Sequence, residues 1–105
     1  MDELQRTIRA QADNDAFRVT QHAQQEMAEE DIVLEDVLQA LRSGQILEHY
    51  PEHLRGACCL LCGYTDQGRP LHVVCTTAQP LLILITVYEP KPPKWVTPTQ
   101  RGRRP

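Results

Sequence analysis

The chain of 105 residues contains no run of about 18 apolar residues, so nothing in it reads as a membrane-spanning helix. The longest apolar run, Leu81 to Ile85, has the length of a strand. The first ten residues, MDELQRTIRA, are charged throughout and lack the apolar stretch of a signal peptide, so a cytoplasmic location is the expectation. There is no nucleophile elbow, no phosphate loop and no dinucleotide fingerprint, which removes several enzyme classes and implies no cofactor. Internal repeats are absent. Acidic residues are missing from 90–105 altogether.

What is present suits one globular domain, residues 1–89, followed by a Pro-rich basic tail, residues 90–105. The net charge of −3 hides an asymmetry. Residues 1–89 hold six Lys and Arg against fourteen Asp and Glu, while 90–105 hold Lys91, Lys94, Arg101, Arg103 and Arg104. An acidic body with a basic tail fits contact with nucleic acid or an acidic partner. Five of the eight prolines fall in the tail, which predicts extended chain, with Trp95 pinning its start to the body.

Apolar spacing predicts a helix over residues 2–11, a second over 21–30 capped by Thr20, and a third over 34–43 stopped by Gly44. The period then becomes two. Strands are predicted at QILEHY (45–50), GACCLLCGYT, PLHVVCTT and LLILITVY, joined by short turns that imply antiparallel pairing. The fold class is α+β: N-terminal helices packed on a roughly four-stranded antiparallel sheet.

Cys58, Cys59, Cys62 and Cys75 invite a zinc reading that strand geometry opposes. Cys58 and Cys62 stand roughly 13 Å apart along one strand, and Cys59 and Cys62 face opposite sides. Buried reduced thiols are the expectation, and no metal site is assigned.

His72, inside RPLHVV, lies on a strand neighbouring the one that carries Thr86 and Tyr88. A His and a Tyr serve as general acid and base near neutral pH, and Arg55 or Arg69 would hold a phosphate, the minimum for cleaving RNA through its 2′-hydroxyl. The alternative is a core histidine bonded to a carbonyl or to a helix side chain such as Glu26. Whether His72 and Tyr88 share a face turns on the TAQP connection between their strands.

Four motifs in order, QHAQQEMAEEDIVLEDVLQAL, SGQILEHYP, RPLHVV and ITVYEP, resemble the DUF4258 family of unknown function, from about Thr20 to Trp95. The helices-then-sheet order of that family is similar to small RelE-like toxins, which cut messenger RNA and are held by antitoxins. The resemblance implies polar site positions at His22, Tyr50, His72, Thr86 and Tyr88, with His22 near His72. The family's helix arginines are Glu26 and Glu30 here, which weighs against RNA cleavage. Two functions follow as expectations. One is a metal-independent, toxin-like endoribonuclease with RNA as substrate and an antitoxin as partner, using His72, Tyr88 and His22 as catalytic groups and Arg55, Arg69, Tyr50 and Thr86 as substrate contacts. The other is a non-catalytic interaction module, a degenerate toxin relative that engages an acidic partner through its tail.

Overall fold

The computed structural model describes residues 3–54 and 56–102. In chain order they form α1 (Glu3–Asp13), β1 (Phe17–Val19), α2 (Gln21–Glu29), α3 (Leu34–Arg42), β2 (Gln45–Tyr50), β3 (Cys58–Tyr64), β4 (Pro70–Thr76), β5 (Leu82–Tyr88), β6 (Trp95–Thr97) and β7 (Gln100–Arg101). The protein is α+β, as its patterning predicts. Thr20 caps α2 by accepting from the Ala23 N–H, and its hydroxyl donates to the Ile85 carbonyl, so one side chain starts the helix and ties it to β5. Gly68, at φ 85°, makes the turn between β3 and β4 that residues 66–69 predict.

The sheet has five strands, not four, in the order β1-β5-β4-β3-β2. The β2–β3, β3–β4 and β4–β5 pairs are antiparallel, whereas β1 runs parallel to β5, with Phe17 opposite Leu82 and Val19 opposite Leu84. The sheet is therefore mixed. A strand of three residues cannot display a period of two, so β1 is silent in the sequence.

Alternation along the central strands divides the core in two. On one face Cys59, Leu61, Leu71, Val73, Cys75, Leu82, Leu84 and Val87 meet Ile8, Ala23, Met27, Val37 and Leu41 from the helices. Gly63 sits where α3 comes closest, since a Cβ there would collide with the Ala40 carbonyl oxygen. Leu60, Cys62, His72 and Thr76 belong to the other face and are just as buried.

The cover on that second face is the C-terminal segment. It is not the extended tail that its prolines predict. Trp95 pairs with Arg101 and Thr97 with Gln100 in a two-stranded hairpin, closed by bonds from Trp95 N–H to the Lys91 carbonyl and from Gly102 N–H to the Lys94 carbonyl. Trp95 is only 2% exposed. One large aromatic anchor against an apolar sheet outweighs the chain's preference for solvated extension. Among the described residues no helix is long and apolar enough to cross a membrane.

Candidate functional site beneath the C-terminal hairpin

His72 and Tyr88 are direct cross-strand partners and so share a face. The register shift between Val74 and Cys75 lies beyond them toward the turn and leaves this pair in step. The Tyr88 hydroxyl lies 3.0 Å from His72 Nδ1, and the Pro98 carbonyl lies 2.6 Å from His72 Nε2. A carbonyl only accepts, so Nε2 carries the proton and Nδ1 accepts from Tyr88. The imidazole is fully buried, and that burial pushes its pKa below the ordinary 6.5, keeping it neutral. Burial pushes Tyr88 upward.

Trp95 stands edge-on to the His72 ring, with centroids 4.4 Å apart. Its indole N–H is buried and has no hydrogen-bond partner among the described residues. On the outer side of Trp95, the Arg101 guanidinium lies 4.7 Å from the ring centroid. It also grips Glu48 with two bonds, Nε to Oε2 at 2.6 Å and Nη2 to Oε1 at 2.7 Å. The Tyr50 hydroxyl donates to the same carboxylate. These bonds hold Glu48 at a pKa of about 2, while burial and the adjacent Glu48 raise Tyr50 to about 12. Aromatic and charged contacts thus run continuously from Tyr50 through Glu48, Arg101 and Trp95 to His72 and Tyr88.

The remaining predicted positions divide. Thr86 lies on the same face, opposite Val74. His22 is mostly exposed on α2 and pairs with Glu26 at 3.4 Å. It makes no hydrogen bond with His72, whose two nitrogens are engaged elsewhere. Arg69 is committed to a clasp: it donates to Glu89 at 2.6 Å, to the Glu30 carbonyl at 2.7 Å and to the Asp31 carbonyl at 3.2 Å, tying the end of α2 to β4 and β5. Arg55 lies outside the described residues.

Glu26 does not reach His72. Its carboxylate accepts from the Val87 N–H, and Glu30 accepts from the Glu89 N–H. Glu26 and Glu30 therefore seal the part of the β5 edge that β1 leaves unpaired. The cysteines are buried thiols, and Cys59 faces Cys75 across β3 and β4 with the sulfurs 4.0 Å apart. Among the described residues no cluster of three or more His, Cys, Asp and Glu is arranged to hold a metal.

Glu48, Pro98 and Arg101 are the site members that the sequence does not announce, whereas Trp95 is the residue it offers as the anchor of the tail. Alternation in QILEHY does place Glu48 beside Tyr50 on one face, and Trp95 is the single tryptophan of the chain. Comparison with curated proteins and with solved structures returns no match. The family model of a domain of unknown function, DUF4258, matches residues 19–89, a span that holds α2, α3, β2 to β5, His72 and Tyr88, takes in only Val19 of β1 and stops before the hairpin. The chain belongs to the DUF4258 family.

Proposed function

We propose that this protein is a toxin-like, metal-independent endoribonuclease whose working face is the side of the sheet turned away from the helices. The observation that carries the reading is the His72–Tyr88 hydrogen bond on that face, under the segment that carries Lys94 and Arg101. A substrate 2′-hydroxyl would pass its proton to the Tyr88 oxygen as the Tyr88 proton passes to His72 Nδ1. The freed 2′-oxygen then attacks phosphorus, the bond from phosphorus to the 5′-oxygen breaks, the leaving oxygen takes a proton from water, and the hydroxide so formed recovers the proton of His72 through the Tyr88 hydroxyl. His72 acts behind Tyr88, as a buried acceptor held in one tautomer by the Pro98 carbonyl. The partner implied is an antitoxin that presents an acidic segment to the Lys94 side of this face.

Complete burial of His72 favours a second reading, a non-catalytic binding module, because a desolvated imidazole resists the charge that the relay requires. Tyr88→Phe separates the two, since it removes one hydroxyl and keeps the packing. The nuclease reading expects intact protein to cut single-stranded RNA, and Tyr88→Phe to lower that rate by roughly 10²- to 10⁴-fold while the protein stays folded, at a cost of no more than about 1–3 kcal/mol for the unpaired His72 Nδ1. Induced expression should slow growth, and the substitution should relieve it. Intact protein that neither cuts RNA nor slows growth overturns the nuclease reading in favour of the module.

A further inference from the structure

The carboxylate that grips Arg101 occupies the place of an anion. The Arg101 fork is planar, lies over an aromatic face and binds Glu48 with two parallel bonds, the geometry in which a guanidinium also takes a phosphate. The Arg101 side chain is 46% exposed, so an incoming group reaches it without unfolding the hairpin. Lys94 is exposed close by, its carbonyl accepting from the N–H of Gly102, the residue after Arg101. Glu48 itself stays anchored to the sheet by Tyr50 if Arg101 departs.

We infer that Arg101, with Lys94 beside it and Trp95 beneath it, forms a subsite for a backbone phosphate of single-stranded RNA, and that Glu48 is a built-in competitor which holds the subsite closed until RNA displaces it. This rests on the proposed RNA-directed function. It adds a ligand site outside the family-matched span and a residue that opposes binding. In the closed state one anion satisfies Arg101. In the open state an RNA phosphate takes its place, and Glu48 keeps the Tyr50 hydroxyl. The exchange is close to balanced because a partly exposed ion pair contributes little and a phosphate restores the same two bonds.

The test uses the full chain and a short fluorescein-labelled oligouridylate, with binding read by anisotropy at several salt concentrations. Glu48→Gln keeps an oxygen for Arg101 and Tyr50 but removes the charge. It should bind about two- to fivefold more tightly than wild type and steepen the salt dependence by about 0.7 in the log–log slope, one more phosphate neutralised on a single strand. Arg101→Gln, placed on the Glu48→Gln background, should return both quantities to the wild-type value or below. Emission from Trp95, the only tryptophan, checks that the hairpin stays seated in every variant. Unchanged or weaker binding by Glu48→Gln with the hairpin seated overturns the subsite. So does tighter binding that survives Arg101→Gln. The nuclease reading stands or falls separately, on cleavage and Tyr88→Phe: RNA cut by a protein whose affinity ignores Glu48→Gln refutes only the subsite. Tighter binding without cleavage refutes only the nuclease.

Discussion

His72 answers to three groups at once, and each constrains its proton. The Pro98 carbonyl fixes the tautomer, Tyr88 fills the other nitrogen, and burial beside Trp95 penalises the charged ring. The pH consequence has a definite sign. The folded pKa is below the unfolded value of 6.5, so between the two the unfolded chain binds a proton that the folded chain refuses. Stability is therefore full above that window and is lost as pH falls through it, at a slope approaching ~1.4 kcal/mol per pH unit. Glu48 acts in a lower window, with stability present above 4.5 and lost as pH falls toward about 2. Urea titrations followed by Trp95 fluorescence between about pH 7 and pH 5 should show the first loss, and His72→Gln should abolish that slope whatever its own stability. A wild-type midpoint that stays flat over this range contradicts the buried neutral imidazole. At this scale the sequence was half legible. The His72 and Tyr88 pairing was visible as a possibility of neighbouring strands. The partners from β2 and the hairpin were not, because a contact between Glu48 and Arg101 spans 53 residues and leaves no local pattern.

Strand β5 shows how the elements are locked. Its inner edge pairs with β4, and its outer edge has three successive covers: β1 along Leu82 to Leu84, Thr20 at Leu84 and Ile85, and α2 beyond. The α2 cover works through carboxylates that accept from the N–H groups of Val87 and Glu89. An exposed strand edge is an aggregation hazard, and acidic side chains that accept its amide bonds close it. Arginine has no acceptor, so Glu26→Arg should leave the buried Val87 amide unpaired. The expected cost is about 1–3 kcal/mol, with faster hydrogen exchange at Val87, while Glu26→Gln should retain the protection. Exchange at Val87 unaltered by Glu26→Arg would show that the edge is closed by something other than this carboxylate. Elements of seven residues or more, and the turns between them, follow from spacing and glycine. Strand β1 does not, because parallel pairing needs a long crossover that no local signal records. The hairpin misleads for a related reason: prolines speak for extended chain, and only the docking of Trp95 overrules them.

The whole molecule is a sheet covered twice, by helices on one side and by its own C-terminus on the other. The family match covers four of the five strands of the sheet and two of the three helices and ends at residue 89, so the second cover lies outside it. Charge follows the same division. The acidic body and the basic tail meet at Glu48 and Arg101, so part of the asymmetry in the sequence is satisfied within the molecule. What holds the second cover down is mainly apolar, since Trp95 is buried against His72 and beside the face that carries Leu60 and Cys62, whereas the Arg101 pair is partly exposed. Truncating the anchor should therefore cost far more than breaking the ion pair. Trp95→Ala is expected to lower stability by about 3–5 kcal/mol, and Arg101→Gln by no more than about 1 kcal/mol. Urea unfolding followed by circular dichroism measures both without relying on the tryptophan. The Trp95→Ala protein should also bind a hydrophobic dye, because the His72 ring loses the indole that stands against it. Equal costs for the two substitutions would mean that the hairpin is held by charge. In that case raising the salt concentration alone should release it, an outcome that the burial of Trp95 argues against.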